Sequence, residues 1–269
     1  MERVLREGAF RGETHIVTGA AQGIGKAVAA ALAAHGAQVV LVDLDPARLA
    51  AARDEIRASG APEPIVAPAN VTDEDEVKKA VATALEATGA IHGLVNVAGI
   101  TRDARIPKKS FADFQLVIAV HLYGTFLFTR EVAAQHWHPL FKDNGNQPLR
   151  DGVNRWIVNF SSVSARNGNV GQIDYTAAKG AIEAATRTTA REFSGYGARV
   201  NAIAPGPVDT PMLAGVGEAG VKLMAAATLT GRIAKPDEMA AVVCALADPR
   251  IFGYATGQVF QVNGGLYLA

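Results

Sequence analysis

The chain holds a single cysteine, Cys244, among 269 residues. One thiol excludes an internal disulfide framework and any cysteine-rich metal site, and it fits a reducing compartment. Neither charge is in excess, since 26 lysines and arginines balance 26 aspartates and glutamates. Nucleic-acid binders need a surplus of cations to meet phosphates, so nucleic acid is not an expected partner. No run of about 18 uninterrupted apolar residues occurs, the length a membrane span requires. The opening Met1-Glu2-Arg3-Val4-Leu5-Arg6-Glu7-Gly8 is too polar for the apolar region of a signal peptide. The expectation is a soluble, cytoplasmic protein. Low-complexity linkers, charge blocks and internal repeats are missing too, and nothing else divides the chain. What it has is apolar substance: 49% hydrophobic residues and only 19% charged ones, against roughly 25% charged in an average domain. Such a chain buries a sizeable core.

Short apolar runs alternate with longer alanine-rich segments of helical character. The runs at 14–18, 38–42, 65–67, 91–95, 156–160, 199–204 and 258–262 read as strands. Helices are expected over 23–35, from Pro46, after the acidic turn Thr72-Asp73-Glu74-Asp75, and over 110–135 and 174–193. Seven strands alternating with helices imply an α/β fold: one doubly wound domain over 1–269 whose seven-stranded parallel sheet is covered on both faces. The segment 136–154 is polar, with Asn144-Gly145 and two prolines, and reads as an exposed loop.

Thr18-Gly19-Ala20-Ala21-Gln22-Gly23-Ile24-Gly25 lies between the first strand and the first helix. Glycines there let the backbone approach a pyrophosphate, which then meets the free N–H groups of the helix start. A glycine-rich loop alone is weak evidence; its position is what counts. At the end of the second strand stands Asp43, which can accept hydrogen bonds from an adenosine ribose and repels a 2′-phosphate. No arginine or lysine precedes Gly25 in the loop, and Asp45 adds negative charge. NAD is expected rather than NADP, with Asp43 as a mere helix cap the plainer alternative.

Tyr175 and Lys179, four residues apart in a helix-forming run, project from one face. A tyrosine with an ordinary pKa near 10 is a poor base at neutral pH, and a nearby ammonium favours its phenolate. Most such pairs are surface decoration. Ser162, thirteen residues earlier at a strand end, can hold a carbonyl or an alcohol.

Taken together, the loop 18–25, Asn96-Val97-Ala98-Gly99, Ser162, Tyr175-Thr176-Ala177-Ala178-Lys179 and Pro205-Gly206-Pro207-Val208-Asp209-Thr210 resemble the short-chain dehydrogenase/reductase family, in order, from about residue 12 to 269. The resemblance implies a Rossmann-type fold and a set of roles. Tyr175 is then the general acid/base, Ser162 orients the reacting oxygen, and Lys179 holds the nicotinamide ribose while lowering the tyrosine pKa. Gly19, Gln22, Gly23, Ile24 and Gly25 cradle the cofactor, Asn70 and Val71 flank its adenine, and Asn96, Ala98 and Gly99 line its cleft. Pro205, Gly206, Val208 and Thr210 approach the nicotinamide. No metal is expected: His136 and His138 diverge on a helix and lack a carboxylate pattern. They read as solvated or packing residues, and Trp137 beside them as a packing residue.

One position departs from the family pattern. Val120-His121-Leu122-Tyr123-Gly124-Thr125 aligns with the segment that usually carries an asparagine in a proton relay, and His121 takes its place. Imidazole can also relay protons, so His121 either joins the catalytic set or is a structural histidine.

Gly257 to Tyr267, Asn70-Val71-Thr72-Asp73 and Gly168-Asn169-Val170-Gly171-Gln172 are similar to the 3-oxoacyl-(acyl-carrier-protein) reductase branch. That branch usually uses NADPH with a basic residue where Gln22 stands here. It docks its acidic carrier through basic residues, of which Arg191 matches one. The expectation is therefore an NAD-linked oxidoreductase acting on a 3-oxoacyl or 3-hydroxyacyl thioester, with a cyclic or small secondary alcohol as the alternative. A non-catalytic NAD sensor on the same fold is the competing class. The apolar segment near 207–230, with Gly215, Gly217 and Gly220, reads as a substrate lid. The resemblance also implies a homotetramer pairing the helices at 110–135 and 174–193 through Ala177, Ala181, Ala184 and Ala185.

Overall fold

Adjacent residues of the valine- and isoleucine-rich runs bury on opposite faces of one sheet. In the computed structural model, which describes residues 6–213 and 215–268, Val17, Val39 and Leu41 join one apolar cluster, while Ile16, Val40 and Val42 join the other. That alternation with both faces buried is what a parallel sheet requires. Met1–Leu5, part of the segment judged too polar for a leader, lie outside the described residues.

The strands are β1 (Thr14–Thr18), β2 (Gln38–Val42), β3 (Ile65–Val66), β4 (Gly93–Asn96), β5 (Arg155–Phe160), β6 (Ala198–Pro205) and β7 (Val259–Val262). They form one seven-stranded sheet in the order β3-β2-β1-β4-β5-β6-β7, with every pairing parallel. The chain winds outward twice from the centre, so the order reverses between β1 and β4. The principal helices are α1 (Gly23–Ala34), α2 (Pro46–Ala58), α3 (Glu74–Thr88), α4 (Phe111–Asp143), α5 (Ile173–Glu192), α6 (Gly217–Ala227) and α7 (Pro236–Ala247). The α/β, doubly wound expectation is met strand for strand.

One expectation is corrected along α4. The helix does not stop at 135 but runs on to Asp143, so only 144–154 remains irregular. Trp137 anchors the extension: it is fully buried, and its indole N–H donates to Ile91 O at 2.9 Å. Pro139 is tolerated because the wider π-turn Ala133–Trp137 precedes it, relieving the clash its ring makes with the carbonyl four residues back. The same helix bears on membranes without contradicting the absence of an uninterrupted apolar run. Helix α4 is long and apolar enough to cross one by length and composition, although charged residues interrupt its apolar run. Val117, Phe128, Val132 and Trp137 bury its inner side, while Phe111, Leu116, Tyr123 and Phe126 remain exposed.

Candidate active site

In an open parallel sheet, ligands bind beyond the carboxyl ends of the strands where the strand order reverses. Here that crevice lies between β1 and β4, and the glycine loop leaves β1 straight into it. Gly25 must be glycine because a Cβ there would overlap the Gly19 carbonyl oxygen. Helix α1 and the strand consequently pack with backbone on backbone.

The start of α1 differs from its neighbours in a way that matters for charge. Asp45 caps α2 by accepting from Ala47 and Arg48 N–H, and Asp73 caps α3 ahead of an acidic first turn. Helix α1 begins at Gln22 with no side-chain cap and no acidic residue in its first turn. Its N–H groups and positive dipole end are left for an external anion. Thr210 comes up beside Gly23 from the turn after β6, with a Cβ on Gly23 meeting the threonine at 3.4 Å. The uncapped N–H groups of α1 and the small side of Gly23 suit the phosphates of a dinucleotide.

Asp43 does not cap α2. Its Oδ2 accepts the Ala21 N–H at 3.1 Å and its Oδ1 the Leu44 N–H at 2.7 Å, tying the end of β2 to the glycine loop. A carboxylate has about four acceptor sites, so sites for ribose hydroxyls remain on both oxygens. The sequence reading missed a cation here: Arg48 reaches back from α2 to donate to Gln22 Oε1 at 3.0 Å. Distance in sequence hid it from an inspection of the loop alone.

Asn70 follows β3, its side-chain oxygen accepting from both Thr72 N–H and the Thr72 hydroxyl, with Val71 buried beside it. Asn96 ends β4 and donates to Asn159 Oδ1 of β5 at 2.9 Å and to Thr129 of α4 at 3.3 Å. Asn159 in turn donates to Thr186 of α5 at 3.0 Å. The result is a buried polar ladder joining both long helices to the sheet centre. Val97 and Ala98 N–H both donate to Thr18 Oγ1, holding β4's exit against β1's. Pro205 ends β6, Gly206 N–H donates to Val262 O, and Val208 is buried.

Ser162 follows β5, and its Oγ accepts the Ser164 N–H at 3.2 Å. Tyr175 and Lys179 share one face of α5, the ammonium standing 5.5 Å from the tyrosine ring centroid and donating to Phe160 O at 2.6 Å. Burial pushes the Lys179 pKa down to about 7. Burial also raises the Tyr175 phenol above its ordinary value; the Ser162 hydroxyl opposes this and the Asp103 charge adds to it. Burial therefore governs the phenol in this structure, and Tyr175 starts as a proton donor.

His121 sits in a π-turn of α4, Ala119–Tyr123, and packs edge-on to the Tyr175 ring at 5.1 Å. Gly99 makes room for it, since a Cβ there would overlap the imidazole. Its Nε2 faces both Ile100 N–H at 3.1 Å and Ile100 O at 2.7 Å. Burial first, then the Lys179 charge, push its pKa down to about 3. The imidazole is thus neutral at ordinary pH and bonds to the backbone of the β4–α4 connection. It makes no hydrogen bond to Ser162, Tyr175 or Lys179. His121→Asn should keep the wild-type pH profile between pH 5 and 9, with kcat changed no more than about tenfold. A limb near pH 6 to 7 that vanishes in the variant would return His121 to the proton path.

Comparison with known proteins decides the family. A family model described as enoyl-(acyl carrier protein) reductase matches residues 19–267. The 3-oxoacyl-[acyl-carrier-protein] reductase of Thermotoga maritima is 38% identical over 96% of this chain and 99% of its own. The human (3R)-3-hydroxyacyl-CoA dehydrogenase is 36% identical over 96% of this chain and 97% of its own. The chain belongs to the short-chain dehydrogenase/reductase family. A solved family structure, the 3-ketoacyl-(acyl-carrier-protein) reductase of Brucella melitensis complexed with NADH, superposes with a TM-score of 0.84 at 29% identity, covering 96% of this chain and 99% of that one. The chain is thus an oxidoreductase of a nicotinamide-binding family.

Several polar residues around this dehydrogenase/reductase site carried no sequence signal. Ser161 Oγ donates to Glu183 Oε1 at 3.0 Å and to Lys179 O at 3.2 Å, and Arg166 pairs with the buried Glu183 at 2.6 Å. Only the four-residue step from Lys179 to Glu183 hinted at a shared face. His138 packs on Phe141 and Tyr196, with Nδ1 3.1 Å from the tyrosine hydroxyl. Among the described residues, no group of three His, Cys, Asp or Glu side chains could hold a metal.

Proposed function

We propose that the protein is an NAD(H)-dependent oxidoreductase that interconverts a 3-oxoacyl and a 3-hydroxyacyl thioester. The observation that carries the reading is the convergence of Ser162, Tyr175 and Lys179 beside a glycine loop whose neighbouring strand ends in Asp43. NADH, when bound, supplies the hydride. Ser162 Oγ holds the substrate carbonyl and the Tyr175 phenol donates its proton to that oxygen, leaving a phenolate that Lys179 stabilises. In the oxidative direction the same phenolate accepts the alcohol proton.

The curated relatives named above act on carrier-protein or CoA thioesters, which supports the acyl reading. The exposed Met212, Val216 and Leu223 supply an apolar lid for the acyl body. A cyclic or secondary alcohol remains the second reading, because that lid recognises apolar surface and no particular functional group. We further infer one domain over 1–269 with its lid near 207–230, a cytoplasmic setting, and a homotetramer. The exposed apolar residues of α4, with Ala177 and Ala184 exposed on α5, supply the faces for assembly.

The test is oxidation of NADH and NADPH with acetoacetyl-CoA. Turnover with NADH at least tenfold more efficient than with NADPH is expected. Preference for NADPH would overturn the cofactor assignment, and no turnover with either would move the search to secondary alcohols.

A further inference from the structure

Loop 97–110 leaves β4, passes the active site and enters α4, and it is pinned along its whole length. The Ile100 backbone meets His121 Nε2, which lies 2.7 Å from the carbonyl and 3.1 Å from the N–H, the tautomer deciding which of the two it bonds. Asp103 accepts from the Gln172 side chain at 3.0 and 3.2 Å, and Ala104 N–H donates to Gly171 O at 3.0 Å. The final fastening is an ion pair: Lys109 Nζ lies 2.8 Å from Asp174 Oδ2, with side chains 5% and 1% exposed. Lys109 also donates to the Arg102 carbonyl within its own loop. The second oxygen of Asp174 accepts the Tyr175 N–H at 2.9 Å.

Burying two charges is costly, and an apolar pair of equal volume generally stabilises a fold as well or better. Stability is therefore a poor reason for this pair. Its location offers a better one. Gln172, at the start of α5, provides no side-chain cap to its own helix, so the carboxylate of Asp174 ties down the first turn. The charge of that carboxylate is held by Lys109 from the opposite wall. The groups facing the phenol are Asp103 from the loop, Ser162 from the β5 exit, Lys179 from α5 and His121 from α4.

We propose that the buried Lys109–Asp174 pair positions Tyr175, locking the first turn of α5 and loop 97–110 into one unit at the substrate opening. Both act through the tyrosine and touch neither substrate nor cofactor. This rests on the reading of Tyr175 as the acid/base.

The experiment uses the full chain with NADH and acetoacetyl-CoA, comparing Asp174→Asn, Lys109→Arg and the double variant Lys109→Met with Asp174→Leu. The double variant should keep the wild-type melting temperature within a few degrees, since an apolar pair replaces an ionic one. Its kcat should nevertheless fall at least tenfold while the NADH dissociation constant stays within twofold. Lys109→Arg, which keeps the pair, should retain kcat within threefold. Asp174→Asn, which keeps an acceptor for the Tyr175 N–H and loses the charge, should fall between. Wild-type kcat in the double variant overturns the proposal; should that variant not fold, wild-type kcat in Asp174→Asn does so. Tyr175→Phe run alongside separates the two ideas, because turnover surviving in it would sink the acid/base reading instead.

Discussion

Tyr175→Phe should lower kcat about 10³-fold, within the 10²- to 10⁴-fold range a positioned proton donor supplies, with NADH binding unchanged. The substitution removes one hydroxyl and keeps the ring that packs against His121 at 5.1 Å, so the site stays filled. The sign of the pH dependence follows from the phenol. Burial raises its pKa, so the protonated form that reduction needs is present through neutrality and is lost only as pH rises through the folded value. Reductive kcat/KM should be flat near neutrality and fall toward alkaline pH. The oxidative rate, which needs the phenolate, should rise over the same interval. A bound oxidised nicotinamide adds positive charge nearby, which places the oxidative limb below the limb of the free enzyme. Steady-state kinetics in both directions, with NADH titrated by its fluorescence, check this. A phenylalanine variant retaining a tenth of kcat would remove Tyr175 from the proton path.

The regular parts of this molecule were legible because local signals and tertiary demands agree. Residues 14–18 and 38–42 were read as strands and form β1 and β2 with those bounds, since continuous apolar runs suit a sheet buried on both faces. Helix α4 was less legible. Trp137 and Pro139 read as loop residues until the buried contact to Ile91 and the preceding π-turn are known, and both depend on the folded chain. The site divides along the same line. Residues that lie on one element or at a strand exit, such as Tyr175, Lys179 and Ser162, are visible as motifs. Partnerships between distant segments are not: Arg48 with Gln22 spans 26 residues and Lys109 with Asp174 spans 65. The neutrality of His121 was equally hidden, because its cause is burial beside Lys179 and not any neighbour in sequence.

Asp43→Asn should change the ratio of NADH to NADPH efficiency by roughly 100-fold. A hydrogen bond to a charged group contributes about 1.5–3 kcal/mol, or roughly 10- to 150-fold in binding, which should appear as a KM for NADH raised about tenfold or more. The other part of the change comes from NADPH, whose 2′-phosphate no longer meets a carboxylate. Arg48, exposed at the loop, joined to Gln22 at 3.0 Å and paired with Asp45 at 3.2 Å, is the cation nearest to receive it. Asparagine is the informative replacement because its carbonyl oxygen can still accept the Ala21 N–H that Asp43 accepts at 3.1 Å. The glycine loop therefore keeps its tether, and the loss reports the charge rather than a slackened loop. Adding Arg48→Ala to Asp43→Asn should return the NADPH efficiency toward its original level without altering that for NADH. An unchanged cofactor ratio in Asp43→Asn, with a wild-type melting temperature, would show that this carboxylate only fastens the glycine loop and that selectivity lies elsewhere in the cleft.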